Sequence, residues 1–239
     1  MYDFLEGIGR LKRLEALRIS FILKTKGRDD GWFTSHLNMG EREINYLPIL
    51  PLLFSVLSEL KGLKELGISY FGADFNKDFE GFFQGLQKKA HTLEILEVNF
   101  ANYKIQKRDL EILAKTLPQL KSLETLKIRN FVINDAGFFK YFAETIHRCS
   151  RLWCSVLADV KVGLPEYNPQ EMLDMLKSIF QKRNLAHVEF RDGCGHFKDF
   201  NSCERLRLSK IYEECPHIQN LIVPISTYHF EFPSSWRGI

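Results

Sequence analysis

The sequence predicts a single α/β solenoid in which short parallel strands alternate with helices along the whole chain. Three observations predict this fold class: an aliphatic unit recurs, its copies follow one another at about 30 residues, and amphipathic segments of helical length lie between them. One strand and one helix cannot bury their apolar faces alone, whereas stacked copies can. We therefore expect one domain over residues 1–239 with one continuous hydrophobic core.

The recurring unit has the form Leu-x-x-Leu-x-(Ile or Val), an apolar alternation that is typical of a strand with one buried face. Clear copies begin at Leu14, Leu63, Leu93 and Leu123. Degenerate copies begin at Leu152, Leu185 and Ile218. The strands are predicted near 14–20, 63–69, 93–99, 123–129, 152–158, 185–191 and 218–224.

The segments between the strands predict helices that cover one face of the sheet. These segments are residues 50–60, 79–89, 108–117, 138–147, 169–182 and 202–214. Phe138, Phe142 and Ile146 follow the four-residue spacing of a helix face, and Pro169 sits where a first-turn proline is tolerated. The chain contains 20 Phe against 3 Trp. Because phenylalanine fills volume without a polar atom, this excess indicates packing between repeated layers.

The best-formed repeat, Leu123 to Leu152, carries an Ile-x-Asp-x-Gly step at Ile133, Asp135 and Gly137 before its helix. With its period and a full helix in each repeat, the pattern resembles the leucine-rich-repeat family, as a divergent relative of the ribonuclease-inhibitor-like subclass. The resemblance covers nearly the whole chain. It implies a horseshoe with a parallel β-sheet on the concave face and helices on the convex face.

The chain departs from the family pattern in three places. The position of the family's asparagine ladder holds Phe71, Ala101 and Phe131, so we expect stacked phenylalanines in place of hydrogen-bonded amides. The first interval has about twenty extra residues relative to the family period, and residues 24–43 are therefore predicted to leave the solenoid as a loop. Residues 225–239 are predicted to form a C-terminal cap over the last strand.

Two surfaces are candidates for binding a partner. Side chains alternate along a strand, so residues between the buried positions should point to the concave side. The charged candidates there are Arg18, Glu97, Lys127, Arg129, Glu189 and Arg191. The insertion loop offers Trp32 and Phe33, apolar side chains of a kind common at interface hot spots. Two plain alternatives stay open: a solvated sheet face with no ligand, and a Trp32 that packs back over the first repeat.

A zinc site is the first chemical possibility to weigh. Donor side chains occur at Cys194, His196, Cys203, Cys215 and His217. A paired Cys-x-x-Cys spacing is absent, however. Cys149 and Cys215 also fall at a repeat position that holds Leu11, Leu60, Ala90 and Leu120 elsewhere. A position that accepts these residues should be buried and apolar, so we interpret the cysteines as packing residues and expect no metal.

Catalytic and cofactor motifs are not apparent in the sequence. There is no Gly-x-Ser-x-Gly nucleophile elbow and no acid locally paired with a histidine, although a triad assembled from distant repeats stays open. Gly7-Ile8-Gly9 lacks the third glycine of a dinucleotide fingerprint. We therefore expect no catalytic residues and no cofactor, and a chain that is not an enzyme.

Composition indicates a chain that works inside the cell. The 33 basic and 30 acidic residues are interleaved, which leaves no sustained basic stripe. The most apolar stretch, residues 47–57, is too short to cross a bilayer. The 5 cysteines are irregularly spaced and the N-terminus has no long apolar segment, so we expect an intracellular location, in the cytoplasm.

These observations favour a non-catalytic scaffold for protein–protein interaction, a structural subunit of a larger intracellular assembly, since stacked strands offer a long rigid face. One alternative is an RNA-associated accessory protein of a ribonucleoprotein, which would need Lys and Arg clustered in adjacent repeats. A second alternative is the substrate-recognition module of a ubiquitin ligase. The partner itself is not identified by the sequence.

Overall fold

The computed structural model describes residues 7–8, 10–22, 55–57, 59–71, 75–133, 135, 137–162, 169–192, 202–224 and 229–232. In them, a mixed α/β chain forms one sheet of eight strands in sequence order. The strands are β1 (Ala16–Ile22), β2 (Glu65–Phe71), β3 (Ile95–Ile105), β4 (Thr125–Ile133), β5 (Cys154–Val162), β6 (His187–Asp192), β7 (Asn220–Pro224) and β8 (His229–Phe232). Strands β1 to β7 are parallel, and β8 runs antiparallel to β7.

Helices connect the neighbouring strands from β2 to β7. They are α1 (Phe75–Gln87), α2 (Lys107–Thr116), α3 (Phe138–Arg148), α4 (Pro169–Phe180) and α5 (Ser202–Glu213). Each helix packs against the next helix along the sheet. Parallel neighbours need such crossover connections, because a tight turn cannot bring the chain back to the same end of the sheet. Helix α1 begins at residue 75, four residues before the predicted start at residue 79.

The strands begin two residues later than predicted, after the first leucine of each unit. That leucine is still buried, as Leu93, Leu123 and Leu152 show with at most 1 % exposure. Phe138, Phe142 and Ile146 are all buried along α3, which confirms the predicted helix face. The largest fully buried side chains are all phenylalanines. The expectation that phenylalanine packs between the layers is therefore confirmed for the described residues.

One backbone contact repeats at the start of every strand from β2 to β7. A single carbonyl accepts two N–H groups from the next unit, at 2.7–3.1 Å. The carbonyls belong to Glu15, Lys64, Glu94, Glu124, Trp153 and Ala186. For example, Glu124 O accepts from the N–H groups of Trp153 and Cys154. This carbonyl ladder fixes each strand start against the previous one and sets the register of the whole sheet.

The predicted stack is changed at Ala101, and the side chain of Phe71 lies outside the described residues, so its stacking stays a prediction. Tyr103 comes four positions after Asn99 on β3, whereas their partners Arg129 and Phe131 are only two positions apart on β4. Tyr103, and not Ala101, therefore lies beside Phe131, because β3 contains a bulge. The Phe131 ring is fully buried, 5.4 Å from that of Phe138 between centroids.

The repeat position that holds the cysteines is neither uniformly apolar nor always buried, which corrects the sequence interpretation; Leu11 is 53 % exposed. The N–H at this position donates to a carbonyl three residues back, as Cys149 does to Ile146. In the third unit Lys89 and Ala90 both donate such a bond, and Lys89 is the buried residue of the two. We name the position the turn slot. Its occupants are Leu11, Leu60, Lys89, Leu120, Cys149, Lys182 and Cys215.

Candidate functional site

The face of the sheet that points away from the helices is the first candidate surface, and we call it the outward face. Side chains at alternate strand positions point to it, while those between, such as Leu66, Leu96 and Leu126, enter the core. Its central row is in continuous register across seven strands. The row consists of Arg18, Gly67, Glu97, Lys127, Val156, Glu189 and Ile222.

The neighbouring row is in register only over part of its length. Its continuous members are Ser20, Ser69, Asn99, Arg129 and Ala158. The register between β5 and β6 shifts after Leu157. Arg191 belongs to β6 by its backbone, but its side chain lies outside the described residues. The structure thus brings Arg129 next to the central row and leaves the position of the Arg191 side chain open.

A third row on the same face was not singled out from the sequence. It consists of Ala16, Glu65, Ile95, Thr125, Cys154, His187 and Asn220. The two-residue period of a strand could have identified it, because these residues lie inside the predicted strands, two positions before the central row. This row adds a thiol and an imidazole to the outward face.

The charged side chains of the outward face are mostly paired with one another. Arg129 Nε lies 3.3 Å from Glu97 Oε1, and His187 Nε2 lies 3.7 Å from Glu189 Oε2. Arg18 lies 4.0 Å from Glu65 between the closest atoms. Lys127 makes no ion pair with another described residue. The alternating charges predicted for this face therefore pair largely with one another within the sheet. Among the described cations of this face, Lys127 is the one best able to pair with a charged group of a partner.

Strand β5 is buried on both faces, which the sequence did not indicate. Cys154, Val156 and Ala158 form a small apolar cluster on the outward face, separate from the main core. Burial raises the pKa of the Cys154 thiol, although the Lys127 charge and a hydrogen bond with Thr125 act in the opposite direction. The thiol form is thereby favoured at neutral pH, and a thiol is a much weaker nucleophile than a thiolate.

Two further cysteines among the described residues also lie in packing positions. Burial raises the pKa of the Cys149 thiol to about 12, and its Sγ donates to Thr145 O at 3.2 Å. Cys215 is buried in the turn slot. Within the described ranges, no group of three or more His, Cys, Asp or Glu side chains is arranged to hold a metal ion. The side chains of Cys194, His196 and Cys203 lie outside them.

A shallow pocket of about 350 Å³ lies beside the end of β3, between the starts of α1 and α2. Its polar groups are already engaged with one another. Tyr103 Oη donates to Asp109 Oδ2 at 2.9 Å, and the Gln106 N–H donates to the same oxygen at 2.8 Å. Arg108 and Glu80 pair at 2.6 Å. Asp109 thus caps the start of α2, and the pocket offers no unpaired group for chemistry.

The second surface predicted from the sequence, the loop 24–43 with Trp32 and Phe33, lies outside the described residues. So does most of the predicted cap 225–239, of which the structure describes β8. Strand β8 pairs with β7 from Leu221↔Phe232 to Pro224↔His229. The binding role of Trp32 and Phe33 accordingly stays a prediction.

Comparison with protein-family models and with curated proteins finds no match to this sequence. In the part of the chain that the structure describes, no helix has the length and apolar character needed to cross a membrane. The geometry of the sheet and its surfaces is therefore the basis on which a function is proposed below.

Proposed function

We propose that the chain is a divergent leucine-rich-repeat solenoid with the outward face of the sheet on the inside of a curve. The carbonyl ladder supports this, because the same two hydrogen bonds recur at each strand start from β2 to β7. A repeat fold consists of one supersecondary unit that contacts only its neighbours, and the sequence-ordered sheet has that connectivity. The family resemblance in the leucine units points the same way.

We further propose that this chain is a non-catalytic scaffold that binds another protein, as a structural subunit of a larger assembly. The observation that carries the proposal is the unbroken register of the outward face from Arg18 to Ile222. Each side chain of that row is held by a strand paired on one or both sides. Rigid presentation of many side chains lowers the entropic cost of binding a large partner surface.

The test uses Lys127, whose ammonium group makes no ion pair within the described residues. We expect a tagged chain purified from its native source to crosslink through Lys127 to a second protein. The substitution Lys127→Glu should reduce co-purification of that protein by about tenfold, because a buried like-charge contact costs more than 1 kcal/mol. The matched control is Lys115→Glu, an equal charge change at an exposed position of α2.

Two results would contradict this proposal. One is a wild-type chain that stays monomeric and recovers no second protein. The other is a partner whose recovery falls equally with Lys115→Glu and Lys127→Glu, since the helical face would then serve as well as the outward face. Circular dichroism of both variants verifies that each is folded.

A further inference from the structure

The turns that precede the strands lie side by side and form a second continuous surface, which we call the strand-start edge. Side chains tie neighbouring turns together: Ser122 Oγ donates to His91 O at 2.9 Å, and Asn184 Nδ2 donates to Ser150 O at 2.6 Å. One exposed residue in each turn occupies the equivalent position. These residues are Lys12, Lys61, His91, Lys121, Ser150, Arg183 and Pro216.

Trp153 is an exception to the polar character of this edge. The residue is 46 % exposed. Among the described residues, Leu11 is the only other large hydrophobic residue that is exposed. Equivalent positions hold Glu15, Lys64, Glu94, Glu124, Ala186 and Gln219. The exposed half of the indole leaves roughly 1 kcal/mol or more of burial free energy unused in this chain. Contact with a partner would bury this remaining surface.

The backbone of Trp153 is rigidly held. Its N–H donates to Glu124 O at 3.0 Å, and its carbonyl accepts from Ala186 and His187 at 2.8 and 3.0 Å. The indole thus projects from a fixed point in the carbonyl ladder. Rigid, exposed aromatic side chains of this kind are enriched among the residues that dominate protein interfaces.

Cations surround Trp153 on the neighbouring turns. Lys121 lies one turn before it and Arg183 one turn after it, and neither makes an ion pair with another described residue. Arg151 lies in the same turn and pairs with Glu124 at 2.9 Å. Strands of a sheet are spaced at about 4.8 Å. Lys121 and Arg183 are therefore separated by roughly 10 Å along the edge, with Ser150 between them and Trp153 three residues further along the same turn, toward the strand start.

We propose that Trp153, Lys121 and Arg183 form a docking site for an acidic segment of a partner protein, an inference that rests on the proposed scaffold function. Two carboxylates three residues apart lie on the same face of a segment in the polyproline II conformation and are separated by roughly 9 Å, which matches the two cations. One of the two side chains between them is apolar, points toward the strand starts and contacts the indole. Carboxylates pair with Lys and Arg by charge-assisted hydrogen bonds.

The charges of the edge favour a protein over a nucleic acid. Glu94 and Glu124 lie among the cations, and Glu124 already neutralises Arg151. A nucleic acid carries a phosphate at every nucleotide and would meet these carboxylates along the same edge. A peptide can place uncharged residues opposite Glu94 and Glu124, so its charge pattern fits where a phosphate backbone does not.

The proposal is tested with a labelled peptide that contains Glu-Leu-Leu-Glu between Gly-Ser flanks, measured by fluorescence anisotropy. The comparison probes are the same peptide with Gln in place of Glu and a single-stranded oligouridine of similar length. We expect the acidic peptide to bind with an affinity that falls as salt rises. Trp153→Ala and the double variant Lys121→Glu/Arg183→Glu should each weaken its binding by about tenfold or more.

The matched control is Lys104→Glu/Lys107→Glu, which makes the same charge change at exposed positions beside the opposite end of β3. It should leave the affinity within about twofold, since it does not touch the strand-start edge. The proposal is overturned if this control weakens the peptide as much as Lys121→Glu/Arg183→Glu does, or if the Gln peptide binds as well. Tighter binding of oligouridine that depends on Trp153 also overturns it, in favour of a nucleic-acid site.

The outcome is separable from that of the scaffold proposal. Lys127→Glu lies on the outward face and should not change the affinity for the acidic peptide. If the peptide fails to bind while Lys127-dependent co-purification persists, the strand-start site is refuted and the scaffold function stands. Both edge variants alter exposed side chains, and circular dichroism verifies that they are folded.

Discussion

Lys89 and Lys182 occupy the turn slot, which Leu60 and Leu120 fill in neighbouring units. Both lysines are buried, and burial lowers the pKa of each ammonium group. Their surroundings differ, however. Lys89 Nζ donates to Leu60 O at 2.7 Å, whereas the ammonium group of Lys182 makes no hydrogen bond to another described residue. The same residue type at one repeat position should therefore contribute differently to stability.

We predict that Lys89→Met lowers the free energy of unfolding by about 1–3 kcal/mol, because Leu60 O loses a hydrogen bond from a charged donor and keeps only the bond from the Leu63 N–H. The matched variant Lys182→Met should leave it unchanged or raise it, since it removes a desolvated charge without breaking a hydrogen bond. Urea unfolding at pH 7 measures both. Equal destabilisation by the two substitutions would contradict this account.

The difference in stability between the wild-type chain and Lys182→Met should depend on pH, and the direction of the Lys182 pKa shift sets the sign of that dependence. Because the folded pKa is lowered, the unfolded state binds more protons as the pH rises from the folded pKa to the ordinary value of 10.5. The stability of the wild-type chain relative to Lys182→Met should therefore increase over that interval. Unfolding of the two proteins at pH 7 and pH 10 measures the difference, and no change between them would refute it.

Ionisation of Cys149 should make the stability of the folded chain depend on pH in the opposite direction. Burial raises the pKa of its thiol from 9.0 to about 12, so the unfolded state loses its proton first and the folded state loses stability as the pH rises above 9. Relative to Cys149→Ala, the wild-type chain should lose about 2 kcal/mol between pH 8 and pH 10.5. The cavity cost of the smaller side chain does not depend on pH, so it cancels. A constant difference between the two unfolding curves would exclude a buried thiol.

At the scale of elements, the leucine units predicted each strand and its neighbours because a buried alternation is written directly in the sequence. The bulge in β3 was missed, since Phe100 to Asn102 have no pattern that distinguishes two extra strand residues. The third row of the outward face was missed for a related reason. The strand boundaries depend on the carbonyl ladder, which is made of backbone hydrogen bonds. The side-chain types of Glu124 and Trp153 therefore do not indicate where the ladder lies in the sequence.

Two strands share a further backbone feature that the sequence did not show. Asn130 in β4 and Asp159 in β5 hold equivalent repeat positions and have positive φ, at 53° and 55°. Asn and Asp tolerate this conformation better than other residues with a Cβ. Asn130 Nδ2 also donates to Asn99 Oδ1 at 3.0 Å, which links the side chains of β3 and β4 one residue before the ladder position at Phe131.

We predict that Asp159→Val lowers the free energy of unfolding by about 1–2 kcal/mol, because a β-branched side chain is strained at positive φ. Asp159→Gly should be neutral or stabilising, since glycine adopts this conformation without a steric cost. The control is Lys161→Val in the same strand, where φ is not positive. Thermal unfolding of the three variants measures these changes in stability. A similar effect of valine at both positions would show that the positive φ of residue 159 adds no strain.

At the scale of the molecule, what could be predicted was the order of strands and helices, which follows from the period of the leucine units. The surfaces could be predicted only where they follow from strand alternation, as for Lys127 and Glu189. The pairing of Arg129 with Glu97 depends on a contact between units. Such contacts join residues about thirty positions apart, and a single repeat considered alone contains only one of the two partners.

Stability should also vary along the sheet, because each unit contacts chiefly its two neighbours and β1 has only one strand partner among the described residues. We predict that amide hydrogen exchange is slowest in β4 and β5 and fastest in β1. Leu126→Ala, in the central core, should lower the free energy of unfolding by about 2–5 kcal/mol. It should accelerate exchange in β3 and β5 more than in β1, whereas Leu17→Ala should act mainly on β1 and β2. Uniform acceleration of exchange by either substitution would instead show that all the strands open as one cooperative unit, so that nearest-neighbour contacts do not govern the stability of the sheet.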